Sequence, residues 1–385
     1  MVRSSSDPIE QQANREGAVT TESPPFDYIV PALMVSVVVL GAFNNLLGRM
    51  RAVPLGQYDF FTAVLNAIIY VIVWSSVFLS RRYALKVVPK EQAAFVWSAR
   101  GKWLILMFGG LGDAIGGLLG FIGQPYVSGV MYSLMNQAIV PFTVIFSLVI
   151  LGTRYISLEL IGVVVVLLAV CISMHNFSAS HSDPFMAALI ALSTSGNALS
   201  FVLKEKVFRD FIAKQTTAIE EPLLVEQRPG AIPRKLDIFV VNCCVSVFQV
   251  VWLLPLLAIG PAIGKTHGLG LFEYLQEAGS CFIEGCPNAW QLYTAYISLN
   301  LLYNVALLFL VQRGSALLAF VSLKAVTPAS AVLFSINWPI LGPSTVSWLD
   351  WAEVGLVTIG IVAFRAGNIR KEQYIKSGQR KICLA

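Results

Sequence analysis

The sequence predicts an all-α membrane protein that crosses a bilayer about ten times, on two observations: its composition and the spacing of its apolar stretches. Of 385 residues, 56% are hydrophobic and 13% charged, and mean hydropathy is +0.70; soluble domains carry roughly 25% charged residues. Ten stretches reach the ~20 mostly apolar residues that a helix needs to cross ~30 Å of hydrocarbon.

In chain order, residues 1–27 are polar and contain Pro8, Pro24 and Pro25. They read as a disordered tail with no cleavable secretory signal, too acidic for a plastid transit peptide. Spans are expected at 29–48, 60–80, 102–123, 127–150, 155–174, 184–203, 237–260, 289–310, 314–335 and 349–366. Residues 28–203 hold spans 1 to 5 and span 6, the first of a second repeat. A loop at 204–236 follows, then spans 7 to 10 at 237–366 with a long loop at 261–288, then a tail at 367–385. The turns Leu151 to Tyr155 and Val311 to Gly314 are short enough to force antiparallel hairpins.

Basic residues fix the orientation, because basic loops stay in the cytosol. The loops and tails on the side of the termini hold 21 Lys and Arg, and the opposite side holds Arg49, Arg51 and Lys265. Both termini are therefore expected in the cytosol. The net charge of +5 follows from topology, and nucleic acid is not expected as a partner. His175, His181 and His267 fall on the far side with Cys281-Phe-Ile-Glu-Gly-Cys286, which reads either as a disulfide or as two free thiols. Asn176-Phe177-Ser178 is a glycosylation motif on that side. Cys171, Cys243 and Cys244 lie in apolar stretches and read as packing residues. No zinc spacing, P-loop, GxSxG or catalytic trio occurs, so neither enzyme chemistry nor a cofactor is expected.

Span 4 carries a central Pro141 and leads through a hairpin to Gly162 in span 5. Span 9 carries Pro328 and leads to Gly355 and Gly360 in span 10. With five spans per half, the second copy enters from the opposite face, an inverted repeat of the kind that alternates access around a midplane site.

Charges in hydrocarbon are costly, so they face the bundle interior or a water-filled cavity. Asp113 lies in Gly109-Gly-Leu-Gly-Asp113-Ala-Ile-Gly-Gly117, where glycines admit a close neighbour. It reads either as a tether or as a proton carrier with desolvation raising its proton affinity. Lys324 reads as a cavity charge or as a side chain snorkelling outward. The two are expected to pair with each other or to meet substrate. Neutral polar residues join them: Asn44, Asn45, Asn66, Tyr132, Asn136, Gln137, Asn197, Asn242, Gln249, Asn300, Tyr303 and Asn304. One-turn spacings such as Asn300 and Asn304 place side chains on one face. Together they describe a polar cavity lined from both halves, with Asn45, Asp113, Tyr132, Asn136, Gln137, Asn242, Gln249, Asn300, Tyr303, Asn304 and Lys324 as candidate substrate contacts.

The chain carries Asp113-Ala-Ile, Phe121-Ile-Gly123, Gln137-Ala-Ile-Val-Pro141 and Leu151-Gly-Thr-Arg154-Tyr155, then Leu236-Asp-Ile, Phe248-Gln249, Ala289-Trp290, Thr327-Pro328-Ala329 and Arg365-Ala-Gly-Asn368. In this combination they resemble the chloroquine-resistance-transporter-like branch of the drug/metabolite transporter superfamily. The resemblance implies ten helices in two inverted five-helix repeats, the drug/metabolite transporter fold. It also implies cytosolic termini and a cavity lined by Asp113, Gln137, Asn242, Gln249 and Asn304. Relatives move small peptides, amino acids, glutathione-type thiols and cationic drugs. Parasite relatives carry more cysteines in the long loop, and Lys324 stands where close relatives tend to be uncharged.

The expected function is proton-coupled export of such solutes from an acidic, vacuole-like organelle to the cytosol, with a plastid envelope as the alternative membrane. Asp113 is the candidate proton site. The expected partners are a small-molecule substrate, protons and the bilayer, for a monomer or a dimer. An organic-phosphate or nucleotide-sugar antiporter and a non-transporting receptor or scaffold are the rival readings.

Overall fold

A computed structural model describes residues 28–98, 101–175, 183–220, 236–259, 268–313, 316–342 and 347–376. Thirteen α-helices follow one another among them: α1 Ile29–Leu55, α2 Asp59–Leu79, α3 Lys90–Trp97, α4 Trp103–Gly123, α5 Gly129–Met135, α6 Ile139–Leu151, α7 Ser157–His175, α8 Pro184–Glu220, α9 Ile238–Ile259, α10 Leu271–Ser280, α11 Ala289–Arg313, α12 Ala316–Phe334 and α13 Trp348–Lys376. The described residues form no strand beyond an isolated bridge between Trp338 and Gly342. His181, His267, Lys265 and Asn176-Phe177-Ser178 lie outside the described residues.

Among the described residues eight segments are long and apolar enough to cross a membrane: α1, α2 with the π-turn that follows it, α4 with its terminal 3₁₀ turn, α5 and α6 together, α7, α8, α9 and α13. The two other expected spans fall on α11 and α12. These are helices of 25 and 19 residues, and Ser322–Phe334 in α12 is an apolar stretch.

Two helices outrun their expected ends. α8 continues to Glu220 instead of giving way to a loop at 204, and α13 reaches Lys376 rather than 366. Ion pairs hold the extensions. Arg209 Nη2 meets Glu205 at 2.6 Å one turn away, and Lys102 Nζ meets Asp210 at 2.7 Å across to α4. Lys371 Nζ donates to the Arg154 carbonyl and lies 3.9 Å from Glu159.

Within the bundle α4 packs most extensively on α8, α7 on α13, and α1 on α11 and α12; α9 fills the space between α2 and α4, and α6 lies along α8. Apolar helices gain nothing from leaving lipid for one another, so close backbone packing must hold them together. Glycine supplies it. A Cβ on Gly112 or on Gly196 would lie 2.5 Å from the carbonyl oxygen of the other, and one on Gly162 would lie 2.5 Å from the Gly360 carbonyl. Outward faces stay greasy: on α1, Val35, Val39 and Phe43 are exposed at four-residue spacing while Val37, Gly41 and Ala42 are buried.

The prolines act unequally. Pro141 has no N–H and its ring crowds the carbonyl four residues back, and the chain breaks there into a 3₁₀ turn, Asn136–Ala138, between α5 and α6. Pro328 stays inside an unbroken α12. The turn after α6 is closed by Gly152 at φ +61°, which lets the Gly152 and Thr153 amides both bond the Ser147 carbonyl.

At the end of α1, the short helix α10 packs across the bundle through buried Tyr274 and Ala278. Cys281 and Cys286 are bridged across the following π-turn. Tyr58 donates to Glu277 Oε1 at 2.9 Å, and burial, then the Glu277 carboxylate, raise its hydroxyl above the usual range.

Candidate functional site

The polar residues of the bundle bond to one another in three groups, each tying together helices distant in sequence. In the first, Lys324 Nζ on α12 donates to Gln137 Oε1 at 3.1 Å, and Gln137 Nε2 donates to the Thr327 hydroxyl. Asn45 on α1 joins the same face of α12 through Ser330 Oγ at 3.0 Å. Gln137 stands four residues before Pro141 and Lys324 four residues before Pro328. Each stands one turn before a proline at membrane depth, and their side chains meet.

The second group links α1, α2 and α11. Asn300 Nδ2 donates to Asn44 Oδ1 at 2.9 Å, and Asn300 Oδ1 accepts from the Tyr70 hydroxyl and, at 2.9 Å, from Asn304 Nδ2. Asn304 also donates to the Asn300 carbonyl at 2.8 Å. The one-turn stacking expected of Asn300 and Asn304 is present as a bonded pair.

The third group lies where α4, α8 and α9 meet. Lys204 Nζ reaches Asp113 Oδ2 at 2.9 Å, and Gln249 Nε2 donates to the Asp113 carbonyl at 3.3 Å. Of the two alternatives for Asp113 and Lys324, pairing with each other does not occur: Asp113 meets Lys204 and Lys324 meets Gln137. Lys204 had been counted as a loop residue. The Gly112–Gly196 contact brings α8 close enough for its lysine, two turns beyond Gly196, to turn inward.

The remaining candidates are less connected. Tyr132 is within hydrogen-bond reach of Asn136. Asn242 is half-buried on α9 and makes no side-chain hydrogen bond with another described residue. Tyr303 lays its ring against α1 at Gly41, where a Cβ would meet it at 2.9 Å.

Sequence reasoning passed over Arg51. The structure buries it to 2% exposure at the end of α1. Arg51 Nη2 donates to Gln124 Oε1 at 3.0 Å, and its guanidinium carbon sits 4.1 Å from the Phe121 ring centre and 4.5 Å from that of Tyr296. Its Nε has no partner, an omission that costs about 1–3 kcal/mol for a buried donor. Arg49 reaches the Pro125 carbonyl at 3.0 Å. The signal was present in the basic-residue count, since two arginines within one turn stand on the side that is otherwise almost bare of positive charge. Among the described residues no cluster of His, Cys, Asp and Glu is arranged to hold a metal.

Long apolar helices, close glycine crossings and an internally bonded polar core define a multi-pass α-helical membrane protein. Residues 30–216 match the family model for CRT-like, chloroquine-resistance transporter-like proteins. "Protein CLT2, chloroplastic" of Arabidopsis thaliana is 28% identical over 94% of this chain and 82% of its own length, and "Protein CLT1, chloroplastic" is 28% identical over 79% of this chain and 65% of its own. The chloroquine resistance transporter of Toxoplasma gondii is 25% identical over 68% of this chain, which spans 30% of that protein. The chain is thus similar to CRT-like proteins along most of its length, and these relatives point to a membrane transporter.

Proposed function

We propose that the chain is a ten-helix secondary active carrier, built as two inverted five-helix halves, that moves small peptides, amino acids or amino-acid-derived solutes out of an organelle lumen into the cytosol. The observation that carries this reading is the contact between Gln137 and Lys324, two side chains at matched distances from the central proline of each half. The packing supports it further. Exchanging each span for the one five places on turns the contact of α4 with α8 into that of α11 with α1, and the contact of α6 with α8 into that of α12 with α1; α7 with α13 and α2 with α9 map onto themselves. A rocking motion of one half against the other would expose the bonded groups at the interface to one side at a time.

Protons are the proposed driving ion and Asp113 the proposed site. Protonating Asp113 removes the charge that holds Lys204, and so loosens α4 from α8 where their backbones cross. An acidic vacuole-like organelle supplies the gradient. The plastid envelope is the second reading, and the Arabidopsis relatives, named as chloroplastic, favour it. Proteoliposomes containing labelled dipeptide or glutathione, given a pH gradient, test the mechanism. Gradient-dependent movement that disappears in Asp113→Asn is expected; transport indifferent to both removes the coupling. Fluorescent tagging of the full chain tests the membrane.

A further inference from the structure

We propose that Arg51 receives the carboxylate of the transported solute, an inference that rests on the carrier reading and names one chemical requirement of its substrate. Arg51 is 2% exposed, yet among the described residues no carboxylate forms an ion pair with it. Two other cations that turn toward the bundle have acids: Arg81 has Asp237 at 2.7 Å and Lys204 has Asp113 at 2.9 Å. A buried charge needs a counter-charge or a dense set of acceptors, and Arg51 has one amide oxygen, from Gln124. The rings of Phe121 and Tyr296 attract the cation through their faces; they offer no lone pair to its N–H groups.

A second unpartnered group lies beside the first. The Tyr293 hydroxyl is buried without a hydrogen-bond partner and lies within electrostatic reach of the Arg51 guanidinium. Tyr293 stands one turn before Tyr296 on α11, with their ring centres 6.3 Å apart. One aromatic cluster between α1, α4 and α11 thus contains an uncompensated cation and two groups able to donate, the Arg51 Nε–H and the Tyr293 O–H. An ionised carboxylate answers all three, because it carries one negative charge and only accepts. The rings on the guanidinium hold its planar fork in place before the solute arrives, which favours a planar anion. Arg51 belongs to the half containing α1 to α7 and Tyr293 to the half containing α8 to α13, so the carboxylate would bridge the two halves.

The test is binding to the purified full-length protein, read as melting temperature against probe concentration. Alanyl-alanine and its C-terminal amide differ at the carboxylate, and inorganic phosphate is the third probe. The wild type is expected to be stabilised by the dipeptide and to bind the amide roughly 10-fold more weakly. Arg51→Gln should bind acid and amide alike. Arg51→Lys, with the charge but without the fork, should fall between. Should Arg51→Gln not fold, Arg51→Lys and Tyr293→Phe decide, since each should narrow the preference for acid over amide. Equal binding of the two dipeptides to the wild type, an undiminished preference in the variants, stabilisation by phosphate alone, or none by any probe would each overturn the proposal. Melting reports binding without transport, so failure of gradient-driven uptake would leave this result standing, and the converse holds.

Discussion

Replacing Asp113 by Asn leaves the Lys204 ammonium facing a neutral amide at the crossing of α4 and α8. At 2.9 Å the two charges attract by about 6 kcal/mol for an effective dielectric constant near 20. Much of that offsets the desolvation both groups suffered. The side chains are 17% and 22% exposed, so water screens the pair and the loss on removing one partner should fall to roughly 2–4 kcal/mol, at or below the range for a fully buried pair. Lys204→Gln should cost a similar amount. The double variant is the deciding one: with neither charge left stranded, it should be less destabilised than the sum of the single variants by at least about 1 kcal/mol. Reversible unfolding in mixed detergent micelles measures all four proteins. Losses that simply add would show that the two residues act separately and would refute the ion pair as the lock between these helices.

The glycine crossings make a contrast. Gly162→Ala, whose added carbon would meet the Gly360 carbonyl at 2.5 Å, should lower stability by ~1–3 kcal/mol through overpacking; Gly355→Ala, with no atom within 4 Å, should hold or raise it by up to ~1 kcal/mol, both read as melting temperature. Gln137→Leu removes an acceptor from the buried Lys324 ammonium and should cost about 1–3 kcal/mol; adding Lys324→Met should restore part of the loss in the same unfolding assay. Reducing the Cys281–Cys286 bridge frees a loop of a few residues and should cost ~2 kcal/mol by chain entropy. Melting with and without a thiol reductant checks this, and the Cys281→Ser/Cys286→Ser protein should not respond.

The membrane class and most helix positions were legible because a bilayer imposes one requirement, some twenty apolar residues per crossing, which can be counted along the chain. Gly162, Gly360, Pro141 and Asn304 were legible for a related reason: their use depends on helical periodicity and on what a helix tolerates. Where a helix stops in water is governed by ion pairs outside the apolar window, and so α8 and α13 ran past their expected ends.

Partnerships between helices are another matter. Asp113 and Lys324 were both visible as charges at membrane depth, yet nothing along the chain says that the first meets Lys204 and the second Gln137. That depends on which helix the glycines of α4 bring to contact distance. Arg51 shows the same limit from the other side. Its sequence position made it one of three basic residues opposite the termini, a matter of topology, and only the packing of α4 and α11 around it removed it from water. By itself the sequence determined that the chain lives in lipid and which residues are too polar to face it, since hydrocarbon excludes charge wherever the helix lies. The tertiary structure alone decided which of those residues neutralise one another and which is left with charge to spare, since that depends on distances between helices that no local rule encodes.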